Sequence, residues 1–198
     1  MNMEIPYSVY DRPDTGMNNA RLGMWLFLAS EAMLFGGLIS AYVFLRTGTA
    51  SDQFGPRISE IPLAGFNTLV LLASSFAITL SVWSLREQAF RRHRALFGAS
   101  ILLGALFVVI KWLDYSQKFS QGLHPSTTTF LATYFTLTGV HALHVIGGLV
   151  VNAYLWLAAP RLLKSEPDRL LSRVSAASLY WNFVDAVWMV LFVLLYIL

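Results

Sequence analysis

Thr138-Gly139-Val140-His141-Ala142-Leu143-His144-Val145-Ile146-Gly147-Gly148 is the stretch around which this chain is organised. Two histidines lie inside a run otherwise apolar enough to cross a bilayer. On a helix their three-residue spacing projects both imidazoles from one face, with Thr138 a turn before and Gly148 a turn after. Ionisable side chains in a membrane helix are costly, so they face other helices and find partners there. The rest of the sequence is therefore searched for those partners.

Composition sets the class. Of 198 residues, 56% are hydrophobic and only 13% charged, and the mean hydropathy is +0.58. A soluble domain is about a quarter charged, so this is a membrane protein, and one domain suffices. The absence of cysteine excludes disulfides, iron–sulfur clusters, c-type haem attachment and a cysteine-bridged dinuclear copper centre. The net charge of +3 bears on topology and not on nucleic acid.

Outward from the histidine run, the pattern predicts an all-α membrane protein, a bundle of five transmembrane helices. Residues 1–21 form a polar arm broken by Pro6, Pro13 and Gly16, with Asn18 or Asn19 as the cap of the first helix. Residues 22–198 form the membrane domain, with spans at about 22–45, 63–85, 95–113, 130–159 and 174–198. In the first span, Glu31 shares a face with Leu28, Phe35, Leu38 and Tyr42, and Gly37 and Ala41 would let another backbone approach closely. The second span carries Ser74, Ser75, Thr79, Ser81 and Ser84, small hydroxyl residues that suit a helix packed among others. Residues 86–94 read as a basic turn, and 161–173 as a polar link. Lys111, Asp114 and Lys118 stand at ion-pairing spacing past the end of the third span.

The arm, the 86–94 turn and the 160–173 link carry ten of the fourteen Lys and Arg. The positive-inside rule then places the N-terminus in the cytoplasm and Leu198 outside. With that topology Glu31, His141, His144 and Asp185 fall at similar depth. We expect His144 or His141 to pair with Asp185, leaving Glu31 beside a lipid- or water-lined groove. The two imidazoles on one helix are poor haem or copper ligands, and His93 and His124 fall in connections, so no metal site and no catalytic residue is expected. Trp181, Asp185 and Trp188 share a face with Asn182 beside them, and both tryptophans read as packing residues. Arg91, Arg92 and Arg94 suit contact with anionic lipid.

Four separated signatures resemble those of subunit III of the haem–copper respiratory oxidases, in its short five-helix form. They are Ser30-Glu31 followed by Phe35-Gly36-Gly37; Pro62 through Asn67-Thr68 to Ser74-Ser75; Thr138 through Val145; and Trp181-Asn182-Phe183-Val184-Asp185-Ala186-Val187-Trp188. Asn182 stands where the family usually has histidine, and Asp114 where glutamate is frequent. The resemblance implies a non-catalytic subunit of a cytochrome c or quinol oxidase, without haem or copper of its own. Those cofactors would lie in partner subunits. It also implies packing on subunit I, bound phospholipid, support of proton pumping, and neighbours that include a small subunit IV. Glu31, His141, His144, Asp185, Asn182, Trp181 and Trp188 would be its buried polar and structural set, and Asn67, Thr68, Ser74 and Ser75 its helix contacts. Glu31 with Arg91, Arg92 and Arg94 would hold lipid. Two alternatives stand beside this one: an accessory membrane protein of nitric oxide reductase, and a small proton channel or transporter using Glu31 and Asp185. Against the latter, the sequence shows no internal repeat.

Overall fold

The five apolar runs form five helices in the computed structural model, which describes residues 11–13, 16–48 and 61–198. Most of the expected arm and most of the connection after the first span lie outside those residues. The helices are α1 (Asn19–Gly48), α2 (Ile61–Arg86), α3 (Phe90–Ser120), α4 (Thr129–Ser165) and α5 (Pro167–Phe192), the last continued by a π-helical turn over Val193–Ile197. Each is long and apolar enough to cross a membrane, and no strand occurs among the described residues. This is a multi-pass membrane protein.

Local chemistry sets the ends. Asn18 supplies the α1 cap, its Oδ1 accepting from the Arg21 N–H at 3.0 Å. Thr128 caps α4 by accepting from the Leu131 N–H, and Pro167 stands in the first turn of α5, where its missing N–H costs nothing. The basic turn is shorter than expected: α3 already begins at Phe90, so Arg91, Arg92 and Arg94 are helical. Gln88 closes the remaining turn in the left-handed region, at φ 60°. The polar link of 161–173 is not a link at all. The helix runs through Pro160 to Ser165, and α5 begins two residues later. At 37 residues, α4 is about 55 Å long and extends well past a hydrocarbon core of about 30 Å.

Four helices close a ring in which α2 packs on α3, α3 on α4, α4 on α5 and α5 back on α2. The core between them holds Leu71, Ile78, Phe97, Phe107, Val145, Trp181 and Trp188. α2 is the most enclosed helix, with Ser74, Ser81 and Ser84 fully buried, as its small hydroxyl residues suggest. α1 stands outside the ring in the groove between α4 and α5. It turns Leu28, Phe35 and Tyr42 inward, and leaves Trp25, Leu26, Met33 and Phe44 exposed. The close approach expected at Gly37 and Ala41 is not used among the described residues: both are exposed, and none of those residues has an atom within 4 Å of a Cβ built on Gly37.

Candidate functional site

Trp181 and Trp188 lie seven residues apart on α5, about two turns, so both indoles point into the ring. Trp181 is 1% exposed and fits between two glycines of neighbouring helices. A Cβ at Gly104 on α3 would lie 2.6 Å from its Cζ2, and one at Gly148 on α4 would lie 2.9 Å from its Cε3. Its Nε1 donates to Ser74 Oγ at 3.0 Å, and Ser74 donates to the Ser100 carbonyl at 2.8 Å. This one side chain therefore touches all three other helices of the ring. Trp188 repeats the device a turn or two further on. Its Nε1 donates to Thr68 Oγ1 at 3.0 Å, and Thr68 donates to the Ala64 carbonyl of its own helix at 2.8 Å.

His141 belongs to this packing. Its ring stacks on Trp188 with centroids 5.0 Å apart, and Phe107 meets both rings edge-on. Neither of its nitrogens has a hydrogen-bond partner. His144, although on the same broad face, is rotated about 60° from His141 because three residues fall short of a turn. It faces α1. Nδ1 lies 2.8 Å from the Val140 carbonyl and Nε2 lies 2.8 Å from Glu31 Oε2. A carbonyl only accepts, so Nδ1 carries a proton. A second proton must then lie between Nε2 and Oε2, on one atom or the other, since two lone pairs at that distance would repel. Either way the pair is neutral as a whole, which lowers the cost of burying it. Phe35 packs edge-on against the imidazole at 5.2 Å, and Tyr180 donates to the His144 carbonyl at 2.9 Å.

The expected pairing of Asp185 with a histidine does not occur. Asp185 is 5% exposed and lies against Ser75 of α2, yet its Oδ1 and the Ser75 hydroxyl both lack a well-formed hydrogen bond. The histidine partner is Glu31 instead, because α1 docks on the α4–α5 groove on the His144 side. Asn182, the next polar group along α5, donates to Thr79 Oγ1 at 3.2 Å. Asn67 reaches the Phe107 carbonyl at a long 3.5 Å and leaves its Oδ1 without a partner. The three arginines grouped with Glu31 do not join it: α1 makes no extensive contact with α3. Arg92 and Arg94 lie instead over the rings of Trp83 and Trp156.

Neither imidazole is placed to bind a metal. His144 has both nitrogens engaged, and His141 is enclosed by aromatic rings with no acidic or imidazole neighbour aimed at it. No group of three or more His, Asp or Glu suited to a metal occurs among the described residues.

The model of the cytochrome c oxidase subunit III family matches residues 11–198. The chain belongs to this family. It is similar to cytochrome bo(3) ubiquinol oxidase subunit 3 of Pseudomonas aeruginosa, 32% identical over 193 residues, covering 96% of this chain and 90% of that protein. It is also similar to cytochrome c oxidase subunit 3 of Bacillus sp. (strain PS3), 30% identical over 91% of this chain and 86% of that one. The corresponding protein of Thermostichus vulcanus is 34% identical, over 89% and 86%. Relatives named for a quinol and for cytochrome c thus stand at nearly equal distance.

Two of the four signatures, those of α2 and α5, acquire a common physical meaning here. Thr68 and Ser74 are the acceptors for the two indoles of the last helix, and Gly148 clears the space for one of them. Several contributors were invisible in the sequence. His93, expected in a connection, is fully buried on α3 with Nδ1 2.8 Å from Ser81 Oγ. The ion pairs expected of Lys111, Asp114 and Lys118 form, and all three residues are buried in the bundle. Lys111 Nζ donates to Asp114 Oδ2 (3.0 Å), Tyr134 OH (2.8 Å) and Tyr196 OH (2.9 Å). Lys118 pairs with the other Asp114 oxygen.

Proposed function

We propose that this chain is the haem-free subunit III of a proton-pumping haem–copper terminal oxidase in a bacterial inner membrane, with its N-terminus cytoplasmic and its C-terminus outside. It packs on subunit I beside other small subunits, holds phospholipid between them, and leaves electron transfer and oxygen reduction to its partners. The observation that carries this reading is the Trp181–Trp188 packing. The residues that distinguish the chain's sequence are spent on joining helices, through Ser74, Thr68, Gly104, Gly148 and His141. The two intramembrane acids stand apart, Glu31 paired with His144 between α1 and α4 and Asp185 enclosed against Ser75 of α2, so they do not line one conduit as a transporter using both requires. Contact of Arg91, Arg92 and Arg94 with anionic lipid headgroups fits their place at the start of α3, at the charged end of the span.

The test is purification through an N-terminal tag in mild detergent, with visible spectra and peptide identification of what accompanies the chain. Haem-bearing oxidase subunits in fixed ratio are expected. A haem-free chain that purifies alone and conducts protons into liposomes, with conduction lost in Glu31→Gln, would overturn the reading. Haem-bearing subunits of a nitric oxide reductase would reassign the complex.

A further inference from the structure

Alternation of direction brings the start of α1, the end of α2 and the start of α5 to one end of the bundle. α1 and α2 each pack on α5 but scarcely on one another, which leaves a groove over α5 between them. At its polar mouth is a cavity of about 390 Å³ whose lining includes Asp11, Arg21, Arg86, Asp168, Ser172 and Ser175. A second cavity of about 250 Å³ shares Arg21, Arg86 and Ser175 and continues inward along Thr79, Val82, Trp83 and Leu179. Ser172 is 8% exposed, and its hydroxyl has no hydrogen-bond partner; neither does the buried Nε of Arg21. Neither Arg21 nor Arg86 forms an ion pair among the described residues. Buried polar groups left without partners are costly, so both point to a ligand that satisfies them.

We propose that these joined cavities bind one zwitterionic phospholipid of the phosphoethanolamine class, at a place separate from Glu31 and from Arg91–Arg94. Its phosphate meets the guanidinium groups of Arg21 and Arg86 and the Ser172 hydroxyl, charge-assisted bonds of the strong kind. Its ammonium meets the carboxylates of Asp168 and Asp11. One acyl chain lies along Val82, Trp83 and Leu179. Charge pattern selects the headgroup. Two guanidiniums beside two carboxylates make a mouth of no net charge, so an anionic lipid answers only half of it. A choline headgroup carries the right charges but has no N–H to donate. Inorganic phosphate fits the arginines and leaves the apolar extension empty. The proposal needs only that the chain spans a membrane, and it stands or falls independently of the oxidase assignment.

The test is native mass spectrometry of the full chain, with whatever subunits co-purify, after delipidation and titration with phosphatidylethanolamine, phosphatidylglycerol and phosphatidylcholine of identical acyl chains. One phosphatidylethanolamine per chain is expected, with the other two lipids weaker by about tenfold or more, the scale of one charged hydrogen bond. Arg86→Gln should weaken phosphatidylethanolamine by a similar factor. Asp168→Asn, an exposed change at a helix start, should erase the preference for ethanolamine over choline while lipid still binds. Far-UV circular dichroism checks that each variant is folded, and the Asp168→Asn selectivity decides the matter if Arg86→Gln is not. Equal affinity for the three headgroups, or unchanged selectivity in Asp168→Asn, overturns the proposal. Displacement of the lipid by millimolar inorganic phosphate also overturns it, assigning the arginines to a free anion.

Discussion

Gly104→Ala is the sharpest test of the Trp181 packing. The new methyl would lie 2.6 Å from Trp181 Cζ2, 2.8 Å from Cη2 and 3.0 Å from Leu149 Cδ2. All three are well inside contact distance. The indole cannot slide away, because Gly148 leaves no slack on its other side and its Nε1 is tied to Ser74. Overpacking of this kind costs about 1–3 kcal/mol. If the ring shifts enough to break the Ser74 bond, about 1 kcal/mol more is lost. Alanine's better helix propensity returns up to about 1 kcal/mol. The expected net destabilisation is therefore about 0–3 kcal/mol, or about 1–4 kcal/mol against a glycine-to-alanine change that gains the same propensity without a clash. Gly139→Ala is the control, since nothing lies within 4 Å of a Cβ there, and it should be neutral or slightly stabilising. Equilibrium unfolding in mixed micelles, followed by tryptophan fluorescence, measures both. If Gly104→Ala unfolds at the same denaturant strength as Gly139→Ala, Trp181 is not held as described.

Trp188→Phe keeps an aromatic ring but removes the donor to Thr68, and should cost about 1 kcal/mol, most of it recovered in the background of Thr68→Val. For the α1–α4 pair, Glu31→Leu and His144→Leu should each destabilise more than half as much as the double variant, because either alone leaves an unpaired polar group; strict additivity in the cycle would show that the two do not interact. Asp185→Asn should loosen α4 less than Glu31→Leu does, since Asp185 has no partner on α4, and limited proteolysis in detergent ranks the two. Asp114→Asn leaves Lys111 and Lys118, residues only 5% and 2% exposed, without their carboxylate. A loss of about 3–5 kcal/mol is expected, and a variant as heat-resistant as the parent would place those lysines in solvent.

Periodicity and hydropathy made most of the fold legible, because a lipid environment leaves a spanning segment little choice but helix. That Leu28, Phe35 and Tyr42 share one face of α1 with Glu31 followed from spacing alone, but not that this face turns inward. The enclosed character of α2 followed from its serines. Lateral arrangement was not legible. Glu31 and Asp185 are both acids in helices, and only the docking of α1 on the α4–α5 side decides which of them meets a histidine. The 161–173 segment misled for a different reason. Its charges mark departure from the membrane, not from the helix, and Pro167 sits where proline starts a helix instead of ending one. His93 was hidden by its arginine neighbours, although Ser81, twelve residues earlier, is the kind of small hydroxyl that accepts such a partner.

The position of α1 outside the ring has a consequence for biosynthesis. Everything it docks on comes later in the chain. Glu31 needs His144, Tyr42 donates to the Leu194 carbonyl at 3.1 Å, and Arg46 bonds to the Leu198 carbonyl. From Gly48 to Leu198 the ribosome must add 150 residues, which takes about 8–30 s. Until His144 follows, α1 crosses the bilayer with Glu31 lacking its partner, and until the end of α5 follows, the contacts of Tyr42 and Arg46 stay unmade. The insertion machinery, lipid or another subunit must shelter it, and cutting the last turn from α5 would leave this early helix without an anchor at that end.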